Sequence, residues 1–91
     1  MAQVVITIKI MPESVNTDLT KLEQAVTKEI KHFGGEVGKV EKENIAFGLV
    51  ALKFIFVMDE SKGDTEPLEE AIKKVPGVES VEVTDVRRAI G

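Results

Sequence analysis

Residues 45–58 read Ile45-Ala46-Phe47-Gly48-Leu49-Val50-Ala51-Leu52-Lys53-Phe54-Ile55-Phe56-Val57-Met58, the strongest β signal in the chain. Successive side chains of a strand point to opposite faces, so Val50, Leu52, Phe54, Phe56 and Met58 line one side of an extended chain. Leu49, Ala51, Ile55 and Val57 make the other side mostly apolar as well. A strand that is apolar on both faces belongs at the centre of a sheet, and the flanking segments must supply its neighbours and its cover.

Immediately upstream, residues 36–44 alternate poorly and carry five charges, Glu36, Lys39, Glu41, Lys42 and Glu43, which suits a short, half-solvated edge strand. The Gly34-Gly35 pair before them closes a helix, because glycine enters the left-handed conformation at little steric cost. That helix starts near Asn16, Thr17 and Asp18, whose side-chain oxygens can accept from free backbone amides. Leu19, Leu22, Val26, Ile30 and Phe33 then recur three or four apart and form one apolar stripe. Earlier still, Val4, Ile6, Ile8 and Ile10 alternate with Val5, Thr7 and Lys9, a strand with one core face that Pro12 ends. Downstream, residues 59–66 form a polar loop in which Asp64 or Thr65 can cap a second helix, with Pro67 in its first turn. Leu68, Ala71, Ile72 and Val75 follow helical spacing, Pro76-Gly77 stops the helix, and residues 78–86 return to β-type side chains.

The order β-α-β-β-α-β predicts an α+β, ferredoxin-like sandwich, a four-stranded antiparallel sheet with two helices on one face. The first and third strands are the most apolar and take the centre, where they are expected to run parallel to each other. The sheet face opposite the helices keeps the apolar second side of the third strand, a surface suited to homo-oligomer formation.

Composition narrows the function. The 91 residues are 43% hydrophobic and 31% charged, which fits a single domain over 1–91 with its own core. The absence of cysteine excludes disulfides, thiolate metal sites and cysteine nucleophiles, and it suits a reducing cytoplasm. Twelve basic residues against sixteen acidic ones leave a net charge of -4, the wrong sign for unaided binding to nucleic acid. No signal peptide is recognisable at the N-terminus, and no apolar run reaches the roughly 18 residues of a membrane span. Neither nucleic acid nor membrane is therefore expected as a partner.

Few residues offer chemistry. His32 is the only histidine, so no second imidazole can complete a nucleophilic triad or a metal pair, and its place near a helix end suits interaction with the helix dipole. Glu41, Glu43, Asp59, Glu60, Asp64, Glu66, Glu69 and Glu70 fall in loops and solvated faces and only loosely approach a calcium loop. Gly34, Gly35 and Gly38 lack the spacing and lysine of a phosphate cradle. Phe54 and Phe56 share parity with Val50 and Leu52, which marks them as core rather than as a base-stacking platform. Two features stand apart. Phe47-Gly48 reads either as a core plug at the sheet rim or as a point where the chain bends towards another surface. Arg87 and Arg88 end an otherwise acidic chain and offer planar donors for carboxylates or phosphates, or serve only solubility. No cofactor is called for.

Taken together, VVITIKIMPES (4–14), NIAFGLVALKFIFVM (44–58) and VESVEVTDVRRAIG (78–91) resemble the archaeal-type beta subunit of translation elongation factor 1. The likeness covers essentially the whole chain and is most specific at Met11–Ser14, Ile45–Leu49 and Val83–Arg88. It implies the same βαββαβ fold and a role in guanine-nucleotide exchange on the GTPase elongation factor 1-alpha, with no catalytic residue because no covalent bond changes. It also implies partner contacts. Phe47 and Gly48 would meet a pocket on a neighbouring domain of the GTPase, and the segment Thr84 to Ile90, with Thr84, Asp85, Arg87, Arg88 and Ile90, would approach its Mg²⁺ and phosphate region. Eukaryotic members place a lysine close to the carboxyl end, whereas this chain ends Ala89-Ile90-Gly91, so either Arg87 or Arg88 supplies the cation or the tail acts sterically. The long N-terminal extension of eukaryotic relatives is not seen, and exchange is the only module expected. A small-molecule-sensing module is the alternative on this topology. An acylphosphatase-like enzyme is disfavoured, since no glycine-rich anion loop followed by arginine lies near the first helix.

Overall fold

The computed structural model describes residues 2–89. The chain runs β1 (Gln3–Pro12), α1 (Leu19–Phe33), β2 (Glu36–Asn44), β3 (Val50–Asp59), a 3-10 turn (Glu60–Lys62), α2 (Glu66–Lys73) and β4 (Val78–Ala89). The sheet order is β2-β3-β1-β4, and all three neighbouring pairs are antiparallel. The ferredoxin-like arrangement expected from periodicity is the one observed.

Local chemistry fixes the helix ends. Asp18 caps α1 by accepting from the backbone N–H of Thr20 at 3.1 Å and of Lys21 at 3.2 Å, which satisfies donors that no helical carbonyl can reach. At the other end Gly34 turns left-handed at φ 106° and donates its N–H to Ile30 and Lys31 carbonyls. In α2 the carboxylate of Asp64 accepts from Glu66 N–H at 3.0 Å, and the Thr65 hydroxyl donates to Glu69 at 2.9 Å.

Ile6, Ile8 and Ile10 of β1 and Leu52, Phe54, Phe56 and Met58 of β3 form one buried cluster with Leu22, Val26 and Ile30 of α1 and Leu68 and Ile72 of α2. Both helices therefore cover the same sheet face. Phe54 and Phe56 are fully buried, in keeping with the core reading of their parity.

Three expectations need correction. β1 and β3 are antiparallel, with Gln3 opposite Asp59 and Ile10 opposite Leu52, not parallel. The α1 crossover makes β1 parallel to β2, one strand further out, and the reversal at residues 45–49 then sends β3 back against both. The central strand begins at Val50 rather than Ile45, because residues 45–49 are spent on that reversal. Finally, β2 is not short. It pairs with β3 from Glu36 opposite Val57 to Asn44 opposite Val50, with an irregularity between Val37 and Lys39, so Gly38 absorbs the extra residue of a bulge at the sheet edge.

The topology sorts the loops by end. The β2–β3 turn lies at the end of the sheet where β1 finishes and β4 begins, with Pro12 opposite Val78. The last residues of β4 lie at the other end, with Arg88 opposite Val4 and Ala89 opposite Gln3.

Candidate functional site: two opposite ends of the sheet

At the first end the chain reverses over two residues. Leu49 N–H donates to the Ala46 carbonyl at 2.9 Å, and Ile45 N–H donates to the Leu49 carbonyl at 2.9 Å. The central residues Phe47 and Gly48 both have positive φ, 52° and 80°. Two consecutive positive φ angles define the type I′ turn that matches strand twist, for which Asn-Gly is the favoured pair. Gly48 adopts this conformation freely. Phe47 does not, since a left-handed side-chain-bearing residue costs roughly 1–2 kcal/mol, and it is the only residue other than glycine with positive φ among the described residues. The phenyl ring gains nothing in return from its own fold, because Phe47 is 97% exposed. The reading of Phe47 as a core plug is therefore overturned: the left-handed turn carries the ring off the end of the sheet and into solvent.

At the second end, the Arg88 guanidinium grips Glu60 in two-pronged fashion, with Nη2 2.6 Å from Oε1 and Nε 3.1 Å from Oε2. Arg87 Nε lies 2.9 Å from Asp85 Oδ2, a same-face contact two residues apart on one strand. Both arginines are thus paired with carboxylates of their own chain. Thr84 sits further back along β4, where the pairing with β1 slips between Thr7 and Ile8, and its hydroxyl points to the Thr7 carbonyl at 3.4 Å. Nearby, Asp59 accepts from Ser61 N–H at 2.8 Å, and that hydrogen bond holds its carboxyl below the ordinary carboxylate range.

Between the two ends runs the sheet face that no helix covers. Lys9 and Lys53 stand directly opposite each other on β1 and β3, an unfavourable like-charge pair. Glu43 of β2 relieves it by lying 3.4 Å from Lys9 and 3.6 Å from Lys53. The hydrogen bond from the Lys9 ammonium, followed by the charge of Lys53, lowers the Glu43 carboxyl below its ordinary value despite its partial desolvation.

The residues expected from sequence therefore do not form one site. Phe47 and Gly48 occupy one end, Arg87 and Arg88 the other, and Thr84 and Asp85 the stretch between; Ile90 lies outside the described residues. At about 3.3 Å per strand residue, the nine steps of β3 from Val50 to Asp59 separate the ends by about 30 Å in a molecule 42 Å long. Sequence reasoning missed Glu60 as the partner of Arg88 and Val15 as the neighbour of Gly48. No spacing signal could have found either, since both contacts join distant parts of the chain.

A family model described as the EF-1 guanine nucleotide exchange domain matches residues 5–89. The chain is 49% identical over 88 residues to elongation factor 1-beta of Methanobrevibacter smithii, covering 97% of this chain and 98% of that protein. It is 43% identical over 89 residues to elongation factor 1-beta of Staphylothermus marinus, covering 97% and 98%. Among solved structures, it resembles the C-terminal domain of the MgtC protein from Mycobacterium tuberculosis, with a TM-score of 0.63 at 13% identity, over 96% of this chain and 87% of that one. It also resembles the ACT domain from GTP pyrophosphokinase of Chlorobium tepidum, with a TM-score of 0.61 at 20% identity, over 89% and 97%. At these identities the two structural likenesses speak for the fold alone.

Proposed function

The chain belongs to the EF-1 guanine nucleotide exchange domain family, and on that premise we propose that it binds the GTPase elongation factor 1-alpha at two separated places and loosens its hold on GDP. Nucleotide exchange in translation elongation is the role that this membership supports.

Exchange makes and breaks no covalent bond, so the work required is differential binding. A partner that holds the emptied GTPase more tightly than the GDP-loaded one weakens nucleotide binding by the same factor, through reciprocal coupling. Each 1.4 kcal/mol of that difference is about tenfold in GDP affinity. Two contacts about 30 Å apart can engage two domains of one GTPase together, so that docking at the first fixes the approach of the second. In this reading Phe47 is the anchor and Gly48 permits its turn, while Thr84, Asp85, Arg87 and Arg88 bring the end of β4 towards the magnesium and phosphate region. Arg87 and Arg88 already hold carboxylates. Acting as cations there, they would trade Asp85 and Glu60 for phosphate oxygens, one charge-assisted pair for another.

The observation that carries this reading is Phe47, a fully solvated aromatic ring at a backbone angle that phenylalanine ordinarily avoids. Strain of this kind persists where the rest of the structure enforces it and concentrates at functional positions. The test is release of fluorescently labelled GDP from elongation factor 1-alpha of the same organism. The protein should accelerate release, and Phe47→Ala should remove most of the acceleration with an unchanged circular dichroism spectrum. No acceleration by saturating wild-type protein would overturn the proposal.

A further inference from the structure

Among the described residues the exposed large hydrophobic side chains are Val15, Ile45, Phe47 and Val86, and three of these four sit at one end of the sheet. Ile45 and Phe47 belong to the β2–β3 turn. Val15 comes from the β1–α1 loop, 32 positions earlier in the chain. A Cβ placed on Gly48 would lie 3.5 Å from Val15 Cγ1, so Val15 stands beside the turn, within one side-chain atom's reach of it.

The Val15 loop is held as firmly as the turn it meets. Glu13 N–H donates to the Gly77 carbonyl at 2.9 Å and Thr17 N–H to the Ser14 carbonyl at 3.2 Å. Ser14 N–H donates to the Thr17 hydroxyl at 3.2 Å, and Asn16 N–H to the Ser14 hydroxyl at 3.2 Å. These bonds order the backbone on either side of Val15 and leave Val15 57% exposed. The chain has thus ordered a loop without burying its one large apolar side chain. The exposed neighbours Ser14, Asn16 and Asn44 are polar and uncharged, and Glu13 and Asp18 add charge further along the loop, which gives an apolar centre with a polar rim, the anatomy of an interface.

We propose that Val15 is a partner-binding residue, and that Val15, Ile45 and Phe47 together form one apolar knob that enters an apolar pocket on the GTPase. The inference rests on the reading of Phe47 as the anchor and extends it to a second loop. Phe47 supplies the depth of the contact, and Val15 and Ile45 fill its mouth and exclude water from around the ring. The occupant is a protein pocket of apolar lining, because the exposed side chains of Val15, Ile45 and Phe47 are hydrocarbon and have no charge or donor to offer a nucleotide or a phosphate.

The test measures binding of the full-length protein to nucleotide-free elongation factor 1-alpha, with Val15→Ser made in both the wild-type and the Phe47→Ala backgrounds. Val15→Ser should weaken binding about fivefold to tenfold, the share expected for a half-exposed valine that becomes buried, with an unchanged thermal midpoint. Part of that loss should persist when Phe47 is already alanine. If the loss vanishes there, Val15 merely props the turn and the proposed contact is wrong; if Val15→Ser has no effect in the wild type, the proposal fails while the reading of Phe47 stands. If Phe47→Ala itself binds normally, the underlying reading fails. A benzophenone side chain at position 15 should also crosslink to the GTPase, whereas one at Gln24, exposed midway along α1, should not. Equal crosslinking from both positions, or none from position 15, would overturn the contact.

Discussion

At the scale of single residues, Phe47 shows stability and function pulling in opposite directions. Its left-handed backbone, φ 52°, suits asparagine far better than phenylalanine, and its ring makes no compensating burial within the chain. Phe47→Asn should therefore raise the unfolding free energy by about 1 kcal/mol, seen as a thermal midpoint about 4–8 °C higher for a domain of this size, while nucleotide exchange falls. A variant that is both less stable and fully active would show that the turn is neither strained nor used. Gly48 next to it was legible in the sequence as a flexible point. That Phe47 leaves the core was only one of two readings the sequence left open, because the choice between them rests on the turn's backbone angles, which residue type and spacing do not give.

At the scale of elements, the uncovered sheet face depends on a three-strand charge arrangement. Lys9 and Lys53 face each other and Glu43 neutralises both. The folded carboxyl of Glu43 is lowered from its ordinary 4.5. A lowered folded value means stability that is present above the ordinary carboxylate range and lost as the pH falls through the folded value. Glu43→Gln should therefore flatten the loss of stability between about pH 5 and pH 3, measured as the urea midpoint across that range, and an acid profile identical to wild type would rule the pairing out as a contributor. The edge character of β2 could be read from its charges, but its length could not. Eight of its nine residues pair because β3 offers a full-length neighbour and Gly38 takes up the slip in register.

At the scale of the whole molecule, function is a question of separation. The end of β4 and the β2–β3 turn lie at opposite ends of a body 42 Å long, and under the proposed mechanism they do different work. Replacing Arg87 and Arg88 together by alanine should leave GTPase binding within about threefold of wild type, since exposed charge contacts contribute little to affinity, yet slow GDP release strongly. Phe47→Ala should do the reverse, weakening binding first. Titration of the GTPase followed by stopped-flow release of labelled GDP separates the two quantities, and variants that lose both in equal proportion would argue against a division of labour between the ends.

The βαββαβ order, the central place of β1 and β3, the stripe of α1, its start near residues 16–18 and its stop at Gly34-Gly35 were all written in the sequence, because each depends on side-chain period or on contacts within a few residues. The direction of β1 against β3, the pairing of Arg88 with Glu60 and the meeting of Val15 with Gly48 were settled only by tertiary structure. Those relations join residues tens of positions apart, and their geometry follows from how the strands are ordered in the sheet, which no local pattern encodes.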